Sequence, residues 1–221
     1  YLAAIVFLTF LLSACSPKLH ENQTPIANQI SVGVKERLYS DVLKEEREIW
    51  VHVPQTGFDE WKFPVLYVLD GEFHIESTVG IVKMNVLSGR IPEMIIVTIP
   101  NTNRFRDLTP MHIGDDTNPS GGAGNFIQFI ETELIPYIDS KYPTLSHRTL
   151  VGHSLGGLVV AHTLMKRTHL FHNYLAIDPS ISWGNLDLLE EARSTLKEQE
   201  LTDKSLYVAI ANTLRDDMPL E

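Results

Sequence analysis

Arg148-Thr149-Leu150-Val151-Gly152-His153-Ser154-Leu155-Gly156-Gly157 runs from an apolar strand pattern, through a Gly-x-Ser-x-Gly turn, into an apolar helix pattern that continues to Lys166. Strand, sharp turn and helix are the context this motif needs, because the serine must project its hydroxyl above a sheet. Glycines on both sides let the backbone pass closely through a strained turn. The helix that follows aims its first amides at the serine, a place where developing negative charge is favoured. Ser154 is therefore the candidate nucleophile, and the amide of Leu155, the residue after it, is a candidate oxyanion donor.

Working outward, short continuous apolar runs recur. Val65–Leu69 ends in Asp70-Gly71, Met94–Ile99 is closed by Pro100-Asn101, Tyr174–Ile177 ends at Asp178-Pro179-Ser180, and Leu206–Ile210 follows. Such runs suit central parallel strands covered on both faces. Between them lie helix patterns: Phe126, Phe129, Ile130, Leu134 and Ile138 recur at helical spacing with Asn125 as a possible N-cap, and Leu186–Gln199 is amphipathic. Upstream, Ile49, Val51 and Val53 alternate with Glu48 and His52, as in a half-buried antiparallel strand at a sheet edge, with Lys35–Leu43 as its hairpin partner. Alternating strands and helices imply an α/β domain with a mostly parallel, doubly wound sheet and antiparallel N-terminal strands, its sites at the carboxyl ends of the strands. Asn101–Gly124 reads as a long polar loop, and its Ser120–Gly124 run lacks the Gly-Lys-Ser/Thr ending of a phosphate cradle.

Of the 221 residues, 43% are hydrophobic and 21% charged, enough to build a sizeable core. Lys and Arg number 18 against 28 Asp and Glu, a formal charge of −10, which argues against a nucleic-acid partner. Tyr1–Leu12 is almost wholly apolar and leads into Leu12-Ser13-Ala14-Cys15. The run is too short for a mature transmembrane helix and fits a partial signal peptide over residues 1–14. Cys15, the only cysteine, has no internal disulfide partner. Its setting resembles the lipobox of bacterial lipoproteins, which implies a lipid on Cys15 and an exported protein anchored in the bacterial cell envelope. Residues 15–34 then form a polar linker and 35–221 the domain. A chain that opens on Tyr1 reads as a fragment at that end.

Val68-Leu69-Asp70-Gly71, Arg106-Asp107-Leu108-Thr109-Pro110, Gly152–Gly157 and Asp178-Pro179-Ser180 together resemble the esterase family of α/β-hydrolases. That family includes enterobactin-type siderophore esterases, esterase D-like S-formylglutathione hydrolases, feruloyl esterases and mycolyltransferases. The resemblance covers about Leu38 to Ile210 and lies nearest the siderophore-esterase-like branch. It implies the α/β-hydrolase fold and an oxyanion amide from Glu72, the residue after Gly71. On sequence alone Asp70-Gly71 reads equally as an ordinary turn.

In this fold the chain order is serine, acid, histidine. Asp216 and Asp217, beyond the Leu206–Ile210 strand, are candidate acids, and Asp178 is their rival as well as a simple turn former. No histidine follows His172. The resemblance places the base after one further strand, so the terminal strand and helix are expected to be missing and the fragment alone to be inactive. His162, His169 and His172 read as surface residues without zinc spacing, while His74, which follows the oxyanion segment, reads as a solvated loop residue, with lining of the pocket as the alternative. Trp183 is a candidate stacking surface for an aromatic acyl group, or a core or rim residue.

These readings converge on a serine esterase that hydrolyses a small-molecule carboxylic ester through an acyl-enzyme. The rivals are an acyltransferase with the same nucleophile and a lipoprotein that only binds. No cofactor and no metal is expected.

Overall fold

The computed structural model describes residues 31–55, 60–114, 119–184 and 187–211. Cys15, Asp216 and Asp217 lie outside the described residues. The chain divides into a unit Tyr1–Ser31 and a unit Val32–Glu221, and the second holds every element described below.

Among the described residues seven strands form one sheet in the order β1-β2-β4-β3-β5-β6-β7. β1 (Val34–Ser40) and β2 (Glu45–His52) make an antiparallel hairpin, and β2 also pairs antiparallel with β4 (Ile95–Ile99). β3 (Phe63–Leu69), β4, β5 (Thr144–His153), β6 (Asn173–Ile177) and β7 (Ser205–Ala209) run parallel. The sheet is thus the mostly parallel one expected. β1, and not β2, forms the N-terminal edge.

Alternation along the central strands sorts side chains to two cores. Val65, Tyr67, Leu69, Ile95, Val97 and Ile99 pack with the helices that follow β4 and β5. Leu66, Val68 and Ile96 pack with Ile75, Val79 and Val82 of α1 (Gly71–Leu87) on the opposite face. Both faces being covered explains why these strands read as unbroken apolar runs.

α1 was not legible in the sequence, and His74 stands on this helix, not on a loop. The reason is physical. α1 buries Ile75, Val79 and Val82 but exposes Phe73, Ile81, Met84 and Leu87, so no polar face marks its period.

The expected long loop is likewise partly helical. α2 (Arg104–Leu108) begins at Asn103, whose side chain accepts a hydrogen bond from the Arg106 amide at 3.0 Å. α3 (Ala123–Phe129) is capped by Gly122, so Asn125 lies inside the first turn and is not the cap. A π-helical turn, Ile130–Leu134, joins α3 to α4 (Ile135–Lys141). Phe126, Ile130, Leu134 and Ile138 are all buried at a strict spacing of four. The wider turn keeps that row on the core face, where an unbroken 3.6-residue period would rotate it away. α5 (Leu155–Lys166) and α6 (Asp187–Glu198) are the remaining helices among the described residues.

Candidate active site

Ser154 sits between β5 and α5 at φ 58°, ψ −118°, a region that costs a non-glycine residue about 1–3 kcal/mol. Three hydrogen bonds hold it there. Its N–H donates to the Ile177 carbonyl at 3.0 Å, and its carbonyl accepts from the Leu158 and Ser180 amides at 3.0 and 3.1 Å. Gly152 is required by proximity, since a Cβ there would stand 2.4 Å from the carbonyl carbon of Gly156. The strand and the helix leave no room for a side chain in the turn.

The same end of the sheet brings the other pieces together. β3 lies beside β5 with Val68 opposite Val151, so the turn after β3 reaches the level of Ser154. That turn starts with Asp70 in the left-handed conformation, φ 55°. A Cβ on Gly71 would meet the Ile99 nitrogen at 2.7 Å, which excludes any larger residue without backbone movement. Glu72 and Leu155 occupy the first turns of α1 and α5, where amides have no intrahelical acceptor.

A polar clamp closes around the β3–α1 turn. Asn101 Nδ2 donates to Asp70 Oδ1 at 2.7 Å and to Glu72 Oε1 at 2.8 Å, and the Asn101 amide donates to Glu72 Oε2 at 3.1 Å. Arg104 donates from Nε and Nη2 to the two Asp70 oxygens at 2.7 and 3.0 Å. This bond to Asp70 holds the Arg104 guanidinium more firmly protonated than usual.

A cavity of about 720 Å³ opens above Ser154, lined among others by Arg104, Phe105, Met111, Ser180 and Trp183. Phe105 and Trp183 stand with ring centroids 6.2 Å apart, and Trp183 Nε1 donates to the Met111 carbonyl at 3.2 Å. Trp183 is therefore a rim residue with its polar edge satisfied.

The Ser154 hydroxyl meets Ser180 Oγ at 3.2 Å. Among the described residues no histidine nitrogen bonds it. Asp178 is taken up elsewhere: its amide donates to the Ala209 carbonyl at 2.6 Å and its Oδ1 accepts from the Ala211 amide at 3.1 Å. It braces the chain after β7. His74 packs edge-on to His153 with centroids 6.5 Å apart. His169 is exposed and bonds Glu131. His172 stacks on His147 at 4.5 Å. His162, expected at the surface, is buried on α5, and burial lowers its pKa.

Sequence reasoning missed what the Arg-Asp-Leu-Thr-Pro segment does. Asp107 and Arg47, each 1% exposed, form a 2.6 Å ion pair, and Arg106 bridges Asp107 to Glu45. Arg47 Nη2 donates to the Pro100 carbonyl at 3.2 Å. Buried Thr109 receives the Gly121 amide on Oγ1 at 2.7 Å. Two arginines and two carboxylates thus fasten α2, and with it Arg104 and Phe105, onto β2. The alternating Glu45-x-Arg47 spacing was the available signal, since a charge facing the core needs a partner.

A sheet of this topology with a serine turn at the carboxyl end of β5 defines an α/β-hydrolase. The chain matches the "Putative esterase" family over residues 40–218 and belongs to it. It is 31% identical over 160 residues to the siderophore triacetylfusarinine C esterase of Aspergillus fumigatus, covering 67% of this chain and 54% of that protein. It is 31% identical over 186 residues to the ferri-bacillibactin esterase BesA of Bacillus subtilis, covering 74% and 63%. Among solved structures, an IroE-like serine hydrolase from Shewanella oneidensis superposes with a TM-score of 0.75 at 37% identity, covering 81% of this chain and 61% of that one. The chain therefore spans 54% to 63% of the length of these relatives.

Proposed function

We propose that the protein is a serine esterase that hydrolyses a carboxylic ester of a siderophore. The observation that carries this reading is Ser154, held in a strained turn at the floor of the cavity, in a chain of the esterase family. Its relatives named as siderophore esterases support this choice of substrate class. Phe105, Met111 and Trp183 offer an apolar, aromatic wall to the acyl part.

In this mechanism Ser154 Oγ attacks the ester carbonyl and the alcohol leaves. The Leu155 and Glu72 amides hold the oxyanion, and water then releases the acid from the acyl-enzyme. A histidine from outside the described residues takes the serine proton, and Asp216 or Asp217 orients it. The 221 residues alone are then nearly inactive, because a serine hydroxyl without its base is a weak nucleophile.

The test is turnover of a siderophore ester and of p-nitrophenyl acetate by the full-length protein, by residues 1–221, and by Ser154→Ala. Ser154→Ala should lower turnover by several powers of ten. Parent-like turnover by Ser154→Ala removes the proposal, and parent-like turnover by residues 1–221 moves the base to a histidine within them, His74 first. Acyl transfer to an added alcohol in preference to water would make the protein an acyltransferase. Binding without turnover would make it a binding module.

We further propose that Cys15 carries a lipid that anchors the protein in the cell envelope, on the strength of the apolar run ending in Leu-Ser-Ala-Cys. In a bacterial host Cys15→Ser should abolish radiolabelled palmitate incorporation; unchanged labelling contradicts it.

A further inference from the structure

α1 turns apolar side chains to solvent. Ile81 is 62% exposed, Met84 69% and Leu87 89%, while Val79 and Val82 on the same helix are buried. Val82 faces the sheet, and Met84 lies about 200° further round the helix, so it points away from the sheet. Gly80 is on that outer side too, with nothing within 4 Å of a Cβ added there. A contiguous apolar stretch left at the surface marks a contact region. Its charge is also distinct. Lys83 and Arg90 are the only charged residues between Ser77 and Pro92, in a chain of formal charge −10. The chain enters the domain on this same face of the sheet. Val32, with Val86 and Ile91, packs on the core that α1 covers, and its carbonyl meets His52 Nδ1 at 2.6 Å. Lys83 stands near enough to His52 to add to burial in lowering its pKa. Residues 16–31 are all that separate Val32 from Cys15.

We propose that the exposed face of α1, made by Ile81, Met84 and Leu87 with Lys83 and Arg90 beside them, docks on the surface of an anionic phospholipid bilayer. The inference rests on the reading of Cys15 as a lipid anchor. Residues 16–31 reach at most about 60 Å when fully extended, so the anchor keeps α1 close to the bilayer and makes the second contact intramolecular. The apolar side chains then enter the boundary between headgroups and acyl chains, and the two cations meet lipid phosphates. These are the two forces that hold an amphipathic helix at a membrane. Elsewhere the excess negative charge of the chain is repelled by such a bilayer, which orients this face toward it.

The test uses the full-length protein, made in a bacterial host and reconstituted with vesicles of phosphatidylethanolamine and phosphatidylglycerol. An environment-sensitive fluorophore is attached at Gly80→Cys, or at Glu190→Cys, an exposed position of α6, which packs on the opposite face of the sheet. The parent protein, treated alike, gives the background. Lipids that carry a quencher near the top of the acyl chain should lower the emission from position 80 about threefold and leave that from position 190 nearly unchanged. Adding Met84→Gln and Leu87→Gln, both at exposed positions where the fold tolerates change, should restore most of the emission from position 80. Vesicle-bound protein with an unquenched fluorophore at position 80 contradicts the inference and leaves the anchor standing. So does quenching that persists through Met84→Gln and Leu87→Gln. Emission from position 80 already shifted to the blue before vesicles are added means that α1 is covered by another part of the protein or by a second copy, and this too contradicts the inference. Protein that carries no lipid on Cys15 by mass spectrometry and stays off the vesicles removes the anchor reading, and the inference with it.

Discussion

At Gly71 and Ser154 the backbone is tightly constrained, by close approach in one case and by an unusual conformation in the other. Ser154 endures φ 58° because its amide and carbonyl are both pinned to neighbouring chain. Gly71 lies against the end of β4, where a Cβ would be 2.7 Å from one backbone atom and 2.9 Å from two more. Gly71→Ala must therefore move the chain that carries the Glu72 amide. We expect kcat of the full-length protein to fall about 10²-fold with little change in KM, as when one oxyanion donor is lost. Parent-like kcat in a variant with a normal melting curve would mean that the Glu72 amide is no donor. Ser154 was legible because glycines, strand and helix sit within about ten residues of sequence. Arg104 was not. Its meaning comes from Asp70, 34 positions away, and no local pattern encodes that pair.

Among the elements, α2 is the one the sequence conceals and the site depends on. It is five residues long, too short for a period to show, and is fixed by Arg47 on β2, 60 positions from Asp107. The long strands and α5, whose helical range Leu155–Lys166 matches expectation, declare themselves because their cores are continuous runs. α1 hides because apolar residues lie on both its faces. The buried charges give a stability prediction. Arg47→Met leaves Asp107 buried beside Arg106 alone and should cost about 3–5 kcal/mol. For a domain of this size that is a fall in Tm of about 6–20 °C. The hydrogen bond from Arg106 holds the Glu45 carboxyl below its usual range. A lowered carboxylate stabilises above its unfolded pKa, about 4.3, and that stability is lost as pH falls through the folded value. Melting curves at pH 7 and pH 4 test both points. An unchanged Tm for Arg47→Met at pH 7 would show that the pair does not fasten α2.

The molecule places its chemistry where the parallel strands end: Glu72 after β3, Arg104 after β4, Ser154 after β5 and Ser180 after β6. This is the crevice that open α/β sheets offer to ligands. Within the described residues that crevice holds the nucleophile candidate, the two amides proposed as oxyanion donors and an apolar wall, while the serine's only side-chain hydrogen-bond partner there is Ser180. Ser154 is proposed to be the nucleophile that carries the acyl group, and a fluorophosphonate reacts with such a serine through loss of fluoride. The most direct measurement is intact-protein mass spectrometry of the full-length protein after treatment with a fluorophosphonate, followed by peptide mapping. One adduct is expected, located on the peptide that contains Ser154 and absent from Ser154→Ala. An adduct of equal yield in Ser154→Ala, or one mapped to Ser180 in the parent, would contradict it.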